Sequence, residues 1–298
     1  VNVPIGIAIA VLAPRLLEES RGRREAVDVQ GLLLASVGLF AVVLATARAN
    51  SAGWASFQTL GAYVLGAALL VAFVRWEARS SHAMVPLRLF ARREFSGANG
   101  ANFLLAFAMF AGFVMVVQFF ATVRGESPVS VGVHSLFWTA MPMIVSPYAA
   151  RFGREKGAVR VATLGMALIT TGMLSLALIV SPEASLLALA PAMVAIGTGI
   201  GLVLPNVVAA ALAVVPAGDM GKASAILNTS RQLGAVVGVA VGVAVFQAQG
   251  GLGAAATANG IRATLLVAAG AAAAGTLGAL AARQRTEAEV AVAEAVTA

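Results

Sequence analysis

The stretch Gly221-Lys222-Ala223-Ser224-Ala225-Ile226-Leu227-Asn228-Thr229-Ser230-Arg231-Gln232-Leu233-Gly234, continuing through an apolar run to Phe246, decides how the rest of the chain is read. Residues 223–246 are enough to cross a bilayer as one helix, about 36 Å at about 1.5 Å per residue. The run holds one charged side chain, Arg231, and no acidic residue. At helical spacing Ser224, Asn228, Arg231, Ala235, Gly238 and Gly242 share a face, polar at one end and small at the other. Gly234, Gly238 and Gly242 repeat at every fourth position, a ladder that lets a neighbouring helix approach backbone to backbone. Arg231 would lie about 12 Å inside such a helix. It either snorkels to the cytoplasmic headgroups or joins Asn228 and Gln232 in a polar cluster facing a water-filled path. An arginine at mid-depth costs roughly 2.5–3.5 kcal/mol, and a side chain that deep recovers only part of its solvation, so the interior reading is preferred.

Composition sets the class. Apolar residues make up 60% of the 298 residues and charged residues 11%, far below the quarter usual in a soluble domain. The chain reads as a polytopic membrane protein. Its net charge of +7 does not point to nucleic acid, because the basic residues recur in short segments between apolar runs. The absence of cysteine removes disulfide frameworks and thiolate metal sites.

Residues 1–14 are apolar but too short to span, and read as the end of a truncated helix. Residues 15–30 form a charged cytoplasmic loop. Full spans are expected over 31–47, 57–76, 97–120, 131–150, 161–180, 185–214, 223–246 and 261–282. The fourth contains Pro142 and Pro147; the sixth is read as interrupted by Gly197-Thr198-Gly199-Ile200-Gly201 and by Pro205-Asn206. Between the second and third spans, residues 77–96 form a cytoplasmic loop whose Pro86-Leu87-Arg88-Leu89-Phe90 suits a short piece lying flat on the membrane. Arg151, Arg154, Lys156 and Arg160 are assigned to a loop, and the tail 283–298 to frayed helix or disorder.

Alternation of these spans places 16 of the 20 Lys and Arg residues on one side and Arg48, Arg124 and Arg262 on the other, with Arg231 within the membrane. That asymmetry orients the loops at 77–96 and 151–160 and the C-terminus toward the cytoplasm of a multi-pass protein of the cell membrane.

Catalytic patterns fail. The Gly197–Gly201 run lacks dinucleotide-loop spacing and follows no strand. His82 and His134 are too few for a metal centre, and His134 reads as a polar interface residue. No carboxylate falls within an expected span, so no intramembrane proton relay is visible. What remains is a scatter of polar residues on apolar helices: Asn102, Gln118, Trp138 with Thr139, Asn206, Asn228, Arg231 and Gln232. Singly, such residues tie helices together; jointly, on proline- and glycine-marked helices, they suit the cavity of a transporter for amphiphilic organic solutes.

The segment 221–238, with its Ala223-Ser224-Ala225-Ile226-Leu227-Asn228-Thr229-Ser230-Arg231-Gln232-Leu233-Gly234 core, resembles a signature of the fourteen-helix drug:proton antiporters of the major facilitator superfamily. Val1-Asn2-Val3-Pro4-Ile5-Gly6 looks like the end of their sixth helix, and 131–153, closing on Pro147-Tyr148-Ala149-Ala150-Arg151-Phe152-Gly153-Arg154, is similar to their repeated loop motif. Tyr148 and Ala149 depart from that motif, and its acidic residue is absent. The resemblance implies that residues 31–76 are two linker helices and 97–282 a C-terminal six-helix transporter domain. Arg151, Gly153 and Arg154 become gating-loop candidates. The implied fold is all-α, the C-terminal portion of a major facilitator bundle with eight full spans plus the end of a ninth helix. The implied function is export of drugs or other amphiphilic compounds by proton antiport, without a cofactor, enzymatic activity or nucleic-acid partner. Its partners would be membrane lipids, a small organic substrate, protons and a preceding N-terminal bundle of the same protein. An exporter of a metabolite or lipid-like solute, or a non-transporting membrane interaction protein, is the alternative.

Single cysteines placed on this cysteine-free background test the orientation. A cysteine at position 126 is expected to react with an impermeant maleimide added to intact cells, and one at 155 only after permeabilisation; the reverse pattern refutes the assignment.

Overall fold

The computed structural model describes residues 2–16, 28–80, 83–249 and 254–297. His82 and the arginines of 17–27 lie outside the described residues. Among the described residues there are nine α-helices and no strand: α1 (Asn2–Leu16), α2 (Val29–Ala52), α3 (Phe57–Glu77), α4 (Arg93–Gln118), α5 (Pro128–Lys156), α6 (Ala158–Ile179), α7 (Leu186–Leu212), α8 (Met220–Gln249) and α9 (Ala254–Thr297). Eight of them, α2 to α9, are long and apolar enough to cross a membrane. The chain is an all-α, multi-pass membrane protein.

Local chemistry starts the helices where polar residues break the apolar runs. The side chains of Asp28, Ser56, Ser127 and Ser185 accept from backbone N–H groups in the first turns of α2, α3, α5 and α7, donors that have no partner within their own helix. Pro128 occupies the first turn of α5, where its missing N–H costs nothing.

Packing divides the spans into a pair and a bundle. α2 and α3 lie against each other, Gly66 letting α3 close on Val42 and the Gly38 carbonyl, with Tyr63 donating to Thr46 Oγ1 at 3.0 Å. At one end of this pair the Trp76 indole donates to Asp28 Oδ1 at 2.9 Å. The remaining six spans form a bundle in which α7 packs on α5 and α6, and α4 on α8 and α9. Consecutive helices α4 and α5 scarcely touch.

Two devices let these helices approach. Gly165 of α6 and Gly199 of α7 face each other's carbonyl oxygens; a Cβ on either would come within 2.7 Å of the opposing oxygen. On α8, Gly234 and Gly238 lie against the Phe103 and Phe107 carbonyls of α4, where a Cβ would overlap backbone, and the Gly242 carbonyl accepts from Thr264 of α9 at 3.0 Å.

The structure changes several expectations. α7 is unbroken from Leu186 to Leu212 despite Pro191 and Pro205. Its glycines are contact points and not gaps: Gly197 and Gly201 meet α5, and Gly199 meets α6. The segment assigned to a loop around Arg151 is helical, with only Gly157 (φ +92°) between α5 and α6. Charged residues there can stay helical because helix ends reach past the apolar layer. For the same reason Glu77, Glu94, Glu155 and Asp219 fall inside the eight candidate spans, each at an end. Residues 86–90 form a short strap, with the 3₁₀ turn Leu87–Leu89, that packs on the bundle. Leu89 is 1% exposed in the bundle core, Arg88 pairs with Asp219 at 2.6 Å and Arg92 donates to the Val214 carbonyl. The tail backbone beyond 283 continues α9 to Thr297.

The connections α3–α4, α5–α6 and α7–α8 gather at one end, which holds most of the basic residues and is called here the basic end. Arg48, Arg124 and Arg262 mark the far end.

Gly238→Ala is expected to lower the thermal unfolding midpoint of the detergent-solubilised protein, because a Cβ would sit 2.7 Å from Phe107 Cα and overpacking costs about 1–3 kcal/mol. Gly100→Ala, whose Cβ would meet nothing within 4 Å, should leave the midpoint unchanged or raise it.

Candidate functional site

Proline decides where the polar surface of the bundle lies. Pro205 has no N–H to give the Gly201 carbonyl one turn earlier in α7. That oxygen instead accepts from Ser146 of α5 at 3.3 Å. Near this cross-link α4, α5, α7 and α8 surround an open pocket of about 450 Å³. Leu204, Val208 and Leu227 supply its apolar wall, and Asn102, Ser146, Ser224, Asn228 and Arg231 its polar groups. Arg231 and Asn228 stand one turn apart on α8, and the guanidinium donates to Asn228 Oδ1 at 3.0 Å. Asn102 Nδ2, from α4, donates to the Leu227 carbonyl at 2.7 Å and ties the two helices at the pocket floor. Ser230, on the same turn of α8 as Arg231, donates to the Asn99 carbonyl at 3.1 Å.

The electrostatics are one-sided. Arg231 is the single charged group among the lining residues. A pocket of this make-up offers a planar cationic fork and amide and hydroxyl groups against an apolar wall, which suits an amphiphile carrying a hydrogen-bond acceptor or a negative group. Among the described residues no three His, Asp or Glu side chains cluster as metal ligands would.

The residues singled out from sequence therefore part company. Asn102, Asn228 and Arg231 come together in the pocket. Asn206 is 1% exposed and spends its amide on the Ala149 and Leu202 carbonyls, outside the pocket. Trp138 is 2% exposed and stacks edge-on against Phe113, 5.9 Å between ring centres. Its carbonyl, left without a helical donor by Pro142, faces Gly197. Gln118 lies at the far end of α4, and Gln232 is exposed on α8 away from the lining. Ser146, Ser224 and Pro205 were not among the cavity candidates. The signal for Ser146 was available: a hydroxyl on one helix beside a proline that frees a carbonyl on another.

The three gating-loop candidates sit on the last turns of α5. Arg151 pairs with Glu155 at 3.0 Å, four residues on, along the exposed face. Gly153 is fixed by its neighbour, since a Cβ there would overlap Asn206 Oδ1. Arg154 lies in the last turn, where a cation complements the helix dipole.

Comparison with known proteins gives this arrangement a family. The family model of the Major Facilitator Superfamily matches residues 5–239. The chain is 32% identical over 244 residues to the multidrug resistance protein Stp of Mycobacterium tuberculosis, covering 81% of this chain and 45% of Stp. It is 30% identical over 241 residues to the methylenomycin A resistance protein of Bacillus subtilis, covering 81% and 52% of the two chains. It is 28% identical over 247 residues to the tetracenomycin C resistance and export protein of Streptomyces glaucescens, covering 81% and 45%. The chain spans about half the length of the curated relatives it matches. With a family match across most of its length, an all-helical fold and eight candidate spans, this chain belongs to the major facilitator superfamily.

Proposed function

We propose that this chain is the C-terminal part of an exporter that moves drugs or related amphiphilic organic compounds out across the cell membrane, in exchange for protons. The observation that supports this most is the pocket shared by α4, α5, α7 and α8, in which Arg231, Asn228 and Asn102 meet an apolar wall. The names of the relatives, which refer to multidrug resistance, antibiotic resistance and export, agree with an organic cargo.

On this reading the basic end faces the cytoplasm, α2 and α3 are the linker pair, and α4 to α9 form the C-terminal transporter domain. A preceding bundle of the same protein supplies the opposite wall, because alternating access needs two bundles rocking about a site between them. Arg231 supplies the polar recognition. The pocket lining holds no carboxylate to neutralise it, so its counter-charge comes from the substrate or from the facing bundle. The gating-loop candidates Arg151, Gly153 and Arg154 lie at the cytoplasmic mouth.

The test is efflux of an amphiphilic fluorescent dye from cells producing the complete exporter that contains this chain. Arg231→Lys keeps the charge and loses the planar fork. It is expected to lower the initial efflux rate by about tenfold, the worth of one charge-assisted hydrogen bond, at unchanged membrane abundance. Arg231→Leu should lower it further. Wild-type efflux by both variants would remove Arg231 from the site, and an exporter inert toward amphiphilic dyes would refute the proposed cargo.

A further inference from the structure

Glu77, the last residue of α3, is a carboxylate that the bundle encloses without giving it a partner. The residue is 3% exposed, and both side-chain oxygens are buried with no hydrogen bond to either. Beyond the end of α3, residues 83–92 run along the α7–α8 connection and are fastened to it at three points. The Ala83 carbonyl accepts from Lys222 Nζ at 3.1 Å, Arg88 pairs with Asp219 at 2.6 Å, and Arg92 donates to the Val214 carbonyl at 2.9 Å. Pro86 and Leu89, between these fastenings, are buried.

The groups that approach Glu77 come from three elements. The amides of Met84 and Val85 approach from the fastened segment without completing a hydrogen bond. From α8 comes Lys222, the one neighbour whose charge favours an ionised carboxylate, and its ammonium donates to the Ala83 carbonyl. From the start of α2 comes Asp28, a like charge, whose oxygens already accept from the Trp76 indole and the Gly31 amide. On the same helix end Arg75 and Arg79 are exposed. An ionised carboxylate leaves water only where donors or a paired cation replace the hydration it loses. Neither oxygen of Glu77 has such a donor, whereas the neutral acid buries no charge.

We propose that Glu77 is a proton-binding site of the basic end, sealed in its neutral form by residues 83–92. A proton from the aqueous phase at that end bonds to a Glu77 oxygen as the segment closes. When the segment lifts, water reaches the group, the proton returns to the same phase, and the carboxylate is left beside Lys222. The closed form therefore holds one proton more than the open form, so acid favours closure and alkali favours opening. The segment grips Asp219 and Lys222 at the start of α8, the helix that carries Asn228 and Arg231, and so links the proton to the helix that lines the pocket. On the orientation proposed above the aqueous phase is the cytoplasm; the site itself does not depend on that orientation or on the cargo.

Infrared spectroscopy of the purified complete exporter tests this, with the carbonyl stretch of a protonated carboxyl group as the readout. The difference spectrum between wild type and Glu77→Gln is expected to show that band at neutral pH, and the band should vanish as the pH is raised. Arg88→Gln combined with Arg92→Gln cuts two fastenings and leaves Glu77 in place. In that variant the band should vanish at a proton concentration at least about tenfold higher. Asp219→Asn, which weakens the Arg88 fastening alone, should shift it in the same direction if the double variant fails to fold. Glu77→Gln, the neutral isostere, should keep the thermal unfolding midpoint at neutral pH and lessen its fall under alkaline conditions. If no Glu77-dependent band appears at neutral pH, the residue is an ion held by Lys222 and the site is overturned. A band that vanishes at the wild-type pH in both fastening variants overturns the seal.

Discussion

A backbone carbonyl inside a bilayer has no water to turn to, and this constraint shapes the bundle more than any single side-chain contact. Pro142 and Pro205 each remove one helical donor, and the two orphaned oxygens end up at the α5–α7 contact. Ser146 reaches the Gly201 oxygen, and Gly197 brings α7 against the Trp138 oxygen. The oxygen that Pro205 frees finds a donor on the neighbouring helix, while the one that Pro142 frees packs against a glycine. The glycines complete the arrangement, since a Cβ at Gly197 or Gly201 would collide with α5. The same economy holds on the other side of the bundle, where Gly234 and Gly238 bring α8 onto the carbonyls of α4 and Asn102 uses its amide on Leu227. The candidate pocket is what remains open between these two tightly joined pairs.

Seen this way, the buried amides have different work. Asn206 and Asn102 are both almost fully enclosed, yet only Asn102 borders the pocket. Asn206 occupies the volume that glycine at position 153 leaves free, so its role is to join α5 to α7. Arg231 and Asn228 are different in kind. They bond to each other along one helix and to no neighbouring helix among the described contacts, which leaves their remaining donors directed to whatever enters.

The spans were legible because long apolar runs have few other uses, and the Gly234–Gly238–Gly242 ladder was legible because close approach requires small residues at helical spacing. Helix ends were less so. Arg151 to Lys156 look like loop on composition, but a helix can extend its last turns beyond the apolar layer without penalty, and Gly157 alone makes the turn. The contacts of the strap at Leu87–Leu89 were not legible, because an alternation of apolar and basic residues fits a membrane surface as well as it fits a groove closed by Asp219 and the Val214 carbonyl. The approach of Glu126 Oε2 to His134 Nδ1, 2.7 Å apart at the far end, was invisible for a geometric reason. It depends on a π-helical turn and a positive φ at Gly125, and neither leaves a periodic trace in the residues before it.

The joining of α4 to α8 also bears on how the protein is made. Asn102 and the carbonyl it binds are 125 residues apart, and at ordinary elongation rates about 6–25 s separate their synthesis. Throughout that interval α4 is in the membrane with a polar amide and two glycine-receiving surfaces uncovered, and its neighbour in sequence, α5, scarcely touches it. The surface of α4 around Asn102, Phe103 and Phe107 is therefore completed late, when α8 supplies the carbonyl and the glycines that cover it in the finished bundle.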